Sequence, residues 1–505
     1  MLSRRALIGA LGSAGLLSAL PFGVSASTDV PKKWDEAVDV VVVGSGFAGL
    51  AAAYEAKKAG ASVALLEKMP TAGGNSVING GIFAVPGSPE QKLNGIKDSP
   101  ELMAQDMMKA GDFLNHSEKV KTLCEQALPT YWWTVKELGV TYQKKNIKQE
   151  GGHSVPRSLF TGNGSGSEIV NKELAALAKL GVKPRLRTWM QEIIVNKSGR
   201  VLGVKVRERY RFPDANSGKV KFIAAKRAVV LAFGGFAADP KFRSIYDPKL
   251  TPDLQSTNQP GATGDSWRMA MAIGAHVIQA DQIQILPQTS PDEKGFGIGF
   301  AWSGHVSMYG VWVASGTGKR FVNELANRKV RSDAIFAQLA QGYECLAIGD
   351  AGTAKLFAEI RKGMLERQLE RGCVFQYETL EDLAKAHKVP LDALKQTIAA
   401  YNDAITTGKD EVGRPVNKKA IPLGKGPWYV ARMQPKVHHC MGGLYTNNKA
   451  QVYHVSGNLI PGLYAAGEAT GGVHGAVRLG SCGTADSLIY GRIAGQEAAK
   501  TKAWM

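Results

Sequence analysis

One local pattern limits what this chain can become. Asp39-Val40-Val41-Val42-Val43 is a continuous apolar run of the kind that a strand buried on both faces requires. It leads straight into Gly44-Ser45-Gly46-Phe47-Ala48-Gly49, after which an alanine-rich helix is expected from about Leu50 to Ala59. A second strand is expected from Ser62 to Leu66, ending on Glu67, 21 residues past Gly46. Strand, glycine turn, helix, strand and terminal acid make a βαβ unit, which demands a parallel sheet with helices on its faces. Gly44, Gly46 and Gly49, with the small Ala48 between them, let the backbone turn tightly and approach a pyrophosphate. The helix N-terminus attracts that group through its free N–H groups. Glu67 is placed to accept the ribose hydroxyls.

The residues that follow favour FAD over NAD. Glu67-Lys68 is succeeded by two more glycine-rich turns, Gly73-Gly74-Asn75-Ser76 and Asn79-Gly80-Gly81. A long, bent flavin dinucleotide needs close backbone approach at several points, where NAD needs chiefly one. Near the C-terminus, Gly462-Leu463-Tyr464-Ala465-Ala466-Gly467-Glu468 returns to the same strand-and-glycine texture and offers a contact from a distant piece of chain.

At 505 residues the chain exceeds the ~100–200 that one domain usually holds. A hydrophobic fraction of 44% rules out disorder, and the lack of long apolar runs beyond the N-terminus rules out a polytopic membrane protein. Residues 201–207 and 219–223 alternate like a hairpin, and Arg227 to Ala232 reads as a further buried strand ending at Gly234-Gly235. From 286 to 438 the texture changes to helical patterns around 331–341, 353–371, 380–388 and 391–405, with mixed loops between them. A last helix is expected near 484–499. The expected architecture is α/β: a Rossmann-like FAD-binding domain (36–285 and 439–505) interrupted by an inserted α+β capping domain (286–438).

Ser3-Arg4-Arg5, an apolar stretch from Ala6 to Leu20 and small residues at Val24-Ser25-Ala26 resemble a twin-arginine signal peptide over residues 1–26. That stretch is too short for a bilayer, which needs ~20 residues, so stable membrane insertion is not expected. Export of the folded protein to the periplasm is. The five cysteines show no Cys-x-x-Cys spacing and the nine histidines no His-Glu-x-x-His pair, so no metal site and no covalent haem is expected. A formal charge of +18 without long basic runs points to anionic substrates or an acidic partner protein rather than to nucleic acid.

These motifs, together with His438-His439-Cys440-Met441-Gly442-Gly443 and the run Gly471 to Gly480, resemble the fumarate reductase/succinate dehydrogenase flavoprotein family, in particular its soluble periplasmic flavocytochrome c branch. The resemblance spans essentially the whole chain after the signal. It implies noncovalent FAD, a mobile cap, and reduction of an activated C=C bond between the domains. Gly318-Lys319-Arg320-Phe321-Val322-Asn323-Glu324 followed by Arg328 is similar to the segment bearing the family's catalytic arginine, which makes Arg328 the implied proton donor. Arg478 matches the carboxylate-clamping arginine and His439 the histidine that holds the substrate. Lys68, Gly234, Asp265, Gly483 and Thr484 complete the expected cofactor contacts, with Glu468.

Two departures matter. Fumarate-reducing members use a His-Pro-Thr segment for the second substrate carboxylate; here Leu286 stands in Ile285-Leu286-Pro287-Gln288-Thr289. The family's Glu and Arg that relay protons to the catalytic arginine are replaced by Gly304 and Ser307, so the relay must differ, through His305, Tyr309 or water. A second substrate charge would then lack its partner. Leu286, with Trp302, Tyr309 and Trp312, suggests an apolar far end, with His305 and Ser307 beside it. An unsaturated monocarboxylate of the acrylate, methacrylate, cinnamate or urocanate type is therefore expected, with fumarate as the alternative. The absence of a haem motif implies a separate c-type cytochrome as electron donor. A dehydrogenase of the 3-ketosteroid type and a non-enzymatic FAD electron carrier are the other readings; a steroid, however, offers no carboxylate to Arg478.

Overall fold

In a computed structural model, which describes residues 30–416 and 420–505, the βαβ unit forms one end of a seven-stranded sheet. The signal-like segment at 1–26 lies outside the described residues. Strand Glu36–Val43 pairs in parallel with Val63–Leu66 on one side and with Lys219–Leu231 on the other, in register Val40↔Val63 and Val40↔Ala228. Leu459–Ala465 adds a further parallel strand beyond Lys219–Leu231. Val40, Val41 and Val42 are fully buried, as a continuous apolar run covered on both faces must be.

Helices cover that sheet at van der Waals contact because small residues face each other. Phe47–Lys58 packs against the C-terminal helix Cys482–Lys500. A methyl group on Gly491 would fall 2.5 Å from the Ala48 carbonyl oxygen, and one on Gly495 would fall 2.2 Å from that of Ala52. The first helix begins at Phe47, earlier than the apolar periodicity suggests, and so takes Gly49 into its first turn. All five cysteines are buried and unpaired. Among the described residues no helix is long and apolar enough to cross a membrane.

The inserted cap has its own sheet, in strand order Val311–Ala314, Cys345–Gly349, Trp428–Met433, Phe375–Tyr377, all antiparallel. Helices Phe300–Tyr309, Arg328–Leu339, Ala351–Ile360 and Leu391–Thr407 surround it. Chain leaves and re-enters the dinucleotide half through one antiparallel strand pair, Ile283–Leu286 with Lys436–Cys440, in which Gln284 stands opposite His439.

Three sequence expectations change. Residues 219–223 and 227–232 are one 13-residue strand, whose first half serves the hairpin with Val201–Glu208 and whose second half is central. Alternation gives way to a continuous apolar run because only the second half is covered on both faces. The pattern at 353–371 is two helices broken at Gly363, which adopts φ +70°. Trp302 and Trp312 are fully buried in the cap core, with their indole N–H groups on the carbonyls of Ala347 and Ser303, and line no substrate end.

Gly49→Ala should lower stability by at least about 1–3 kcal/mol, because its methyl would lie 1.9 Å from the Gly44 carbonyl oxygen. Gly80→Ala, whose methyl meets Ile82 at an ordinary 3.5 Å, is the control, and thermal unfolding of both variants checks the contrast.

Candidate active site

The glycine turn is tied down by a serine and the strand-end acid. Glu67 Oε2 accepts from Ser45 N at 3.2 Å and from Ser45 Oγ at 2.5 Å, while Oε1 accepts from Met69 N at 2.8 Å. Ser45 Oγ in turn accepts from Gly73 N at 3.1 Å, joining the first and second glycine turns. Ser76 Oγ accepts from Phe47 N at 3.0 Å, and the helix has no other side-chain cap at its Gly46 end. Asn75 is held by Asn258 at 2.6 Å and Gln259 N at 2.8 Å.

A cradle for a long dinucleotide is visible in how the glycines divide. Methyl groups on Gly44, Gly49 or Gly81 would strike backbone within 2.5 Å, so these close the turns. On Gly74 (φ +47°) or Gly234 (φ +80°) a methyl would meet nothing within 4 Å, so both present bare backbone to open space. The C-terminal helix supplies a second N-terminus without a side-chain cap, at Cys482-Gly483-Thr484, behind Ser481 in a left-handed conformation (φ +67°). Two helix N-termini, a strand-end carboxylate and open glycine surfaces fit FAD. Lys68 and Asp265 are paired with each other at 3.1 Å, and Asp265 also accepts from Trp189 Nε1 at 2.7 Å. Gly80 sits in the third turn, against Ile82.

Beside this cradle the strand pair gathers the cationic residues. Gln284 Oε1 accepts from Arg328 Nη1 at 2.8 Å, and Gln284 Nε2 donates to the Arg478 carbonyl at 2.9 Å. Arg478 is 7% exposed; its Nη1 reaches only the Leu479 carbonyl, at 3.2 Å, and its Nε has no partner among the described residues. Burial, and then the neighbouring Arg328 charge, push its guanidinium down to about 9. Arg328 is likewise lowered by burial, with Glu150 opposing the shift. It is the first residue of helix Arg328–Leu339, capped by Asn327, where the positive end of the helix dipole further disfavours its charge. Both shifts make these guanidiniums stronger acids than free arginine.

His439 lies across from Gln284, with Nδ1 3.4 Å from Glu468 Oε1 and Nε2 unpartnered. Glu468 also accepts from Cys440 N at 3.0 Å. Burial depresses His439 to about 4, so it rests neutral, and the contact is a polar one rather than an ion pair. His474 stacks edge-on against His439 at 5.6 Å and is backed by Asp486 at 3.4 Å.

Of the residues expected at the substrate, Arg328, Arg478 and His439 converge. Leu286 is buried at the end of the same strand, opposite Lys436. Ser307 bonds to its own helix at Gly304 O, and His305 Nε2 lies 3.1 Å from Thr353 O with its ring against Tyr309 and Phe357. Neither has a hydrogen bond to Arg328. Sequence reading missed Ser45, Gln284, His474 and Asp486. A serine inside the glycine turn was a usable signal for the first, while Gln284 carries none because its role depends on strand register.

A family model described as "FAD binding domain" matches residues 39–484. The chain is 38% identical over 501 residues to the acrylate reductase flavoprotein subunit of Shewanella woodyi, covering 98% of both proteins. It is 35% identical to urocanate reductase of Eggerthella lenta, covering 92% of this chain and 74% of that one. The open conformation of a flavocytochrome c3 fumarate reductase superposes with a TM-score of 0.74 at 32% identity, over 95% of this chain and 84% of that one.

The buried histidines make stability pH-dependent. His305 and His439 are both depressed to about 4 by burial, and His438 is lowered well below its ordinary value. Between the unfolded value of ~6.5 and about 4 the unfolded chain binds more protons, so stability must fall as pH drops through that window. Thermal melting should show this acid slope, and His305→Phe should flatten part of it; equal slopes would contradict the assignment.

Proposed function

From the premise that the chain belongs to the fumarate reductase/succinate dehydrogenase type of FAD-binding flavoproteins, matched over residues 39–484, we propose that it reduces the C=C bond of a small α,β-unsaturated monocarboxylate of the acrylate kind. The observation that carries this is Arg478, a buried guanidinium with an unpartnered Nε and no ion pair among the described residues, Glu468 and Glu150 acting on it only from further away. A substrate carboxylate supplies the missing counter-charge, and the planar guanidinium can hold it through two parallel hydrogen bonds.

The glycine turns at Gly44–Gly49 and Gly73–Ser76 and the N-terminus of helix Cys482–Lys500 would hold FAD noncovalently, and bound FAD would supply hydride chemistry at the β-carbon. Negative charge then develops toward the carboxylate, where the Arg478 guanidinium stabilises it. Arg328 donates the proton to the α-carbon, its burial and its place at a helix N-terminus having weakened its hold on that proton. Gln284 holds Arg328 in line with Arg478 through both ends of one amide.

Leu286 and Gln288 bring no charge of their own to the far end of the site. Leu286 is followed by Gln288, whose Oε1 is buried without a partner, and a methyl group on Gly304 would lie 3.7 Å from Gln288 Nε2. Lys436, opposite Leu286, is committed to the carbonyl oxygens of Glu293 and Gly295, so a second carboxylate there would be buried without a free partner among these residues, at a cost of several kcal/mol. Fumarate is disfavoured on that ground, and the acrylate-named relative of matching length supports the smaller acid. We place the protein in the periplasm, with a separate c-type cytochrome as electron donor whose acidic face meets this basic chain.

Anaerobic oxidation of reduced methyl viologen by acrylate, with FAD content checked, tests the assignment. Arg328→Lys should lose about 10²–10⁴-fold in kcat while retaining FAD. Arg478→Met should weaken acrylate binding about 10- to 100-fold, the worth of a charge-assisted hydrogen bond. Wild-type rates in the first variant, or unchanged binding in the second, would refute the roles given.

A further inference from the structure

Arg328 needs its proton back after each turnover, and its hydrogen-bond partner, the Gln284 amide, has none to give. Gly304 and Ser307 carry no ionisable group, and His305 is committed to Thr353 in the cap. The opposite side of the site is different. The loop that follows strand Tyr142–Lys148 enters between the two active arginines, because glycines let it approach closely. A methyl on Gly151 would fall 2.9 Å from the Ala326 carbonyl oxygen, one on Gly152 2.5 Å from the Leu479 side chain, and one on Gly480 2.5 Å from Glu150 Cγ. Glu150 is thereby wedged between the segment that starts the Arg328 helix and the Arg478–Gly480 turn.

Its carboxylate is paired with Lys148 Nζ at 2.9 Å, and exposure falls from 29% at the Lys148 side chain to 14% at Glu150. Around it stand Arg328, Arg331, Arg361 and Arg478, with His153 on its own loop. Burial alone would raise this carboxyl, yet Lys148, Arg328 and Arg331 together hold it down to about 2.

We propose that Lys148 and Glu150 form the proton-delivery path from solvent to Arg328, with Glu150 the positioning residue that restores the acid. This rests on the reading above that Arg328 protonates the substrate. When Arg328 has given its proton to the α-carbon, one of the cations holding Glu150 ionised is gone. Lys148 then passes a proton to Glu150, Glu150 passes one to the neutral guanidine through a water, and Lys148 takes one from solvent. One proton enters per double bond reduced, and no electron moves along this path. The path crosses from the dinucleotide half to the cap, so it is complete only while residues 325–328 pack on the 149–152 loop.

The test is Glu150→Gln in the FAD-loaded protein, with acrylate as probe and methyl viologen as reductant. Acrylate affinity, read from perturbation of the oxidised flavin spectrum, should stay within about threefold while kcat falls about 100-fold. Wild-type kcat should be nearly flat between about pH 6 and 8, whereas the variant should slow as pH rises, because solvent protons become limiting. Glu150→Asp should recover part of the rate, and Lys148→Met should show a milder loss of the same kind; these two carry the test if Glu150→Gln does not fold. An active wild type with an unchanged variant rate and pH profile would overturn the relay alone. Lost binding with retained kcat would make Glu150 a binding group and also overturn it. A wild type inactive with every unsaturated acid would instead remove the acid role of Arg328 and the relay with it.

Discussion

A guanidinium buried without an ion pair is a cost that a fold carries only for a purpose, and among the described residues Arg478 is such a group. Desolvating an unpaired charge costs several kcal/mol, and here a second guanidinium, Arg328, is close enough to depress Arg478 further. Hydrogen bonds hold the pair in place, while Glu150 and Glu468 offset part of its charge. One glutamine amide fixes both arginines, one through its side chain and the other through its backbone carbonyl. On the function proposed above, the arrangement is complementary to a small anion whose negative charge grows during reaction, which is how electrostatic preorganisation lowers a barrier.

The rest of the fold follows from where that pair must stand. Arg328 comes from the cap, Arg478 from the turn before the C-terminal helix, and Gln284 and His439 from the strand pair through which the chain leaves and re-enters the dinucleotide half. Small residues between Phe47–Lys58 and Cys482–Lys500 bring the C-terminal helix down against the glycine turn, and its N-terminus with it. Cofactor cradle and anion site thus share the N-terminal end of the C-terminal helix, where a methyl on Gly483 would lie 3.1 Å from the Arg478 side chain.

Much of this was legible because it depends on local backbone chemistry. The valine run, the glycines at 44, 46 and 49 and the acid at 67 specify their structure within thirty residues, and the FAD-binding fold follows from them. Residues that act through distant pairing were not legible. Gln284 acquires its role from a strand register with a segment some 155 positions away, and Glu150 meets Arg328 only through tertiary packing. Trp302 and Trp312 misled for a related reason: an aromatic near a substrate segment in sequence looks the same whether it lines a cavity or fills a core. Short apolar strands such as Val311–Ala314 escaped notice because four residues give too little periodicity to separate strand from loop.

The central claim is that the site reads a single carboxylate charge, and it can be tested without turnover. Oxidised, FAD-loaded protein should be titrated with acrylate and with acrylamide, which has nearly the same shape but no charge, following the flavin spectrum. The account predicts that acrylate binds about 10- to 100-fold more tightly, the equivalent of ~1.4–2.7 kcal/mol, and that Arg478→Met removes the difference. Equal affinity for the two would contradict it.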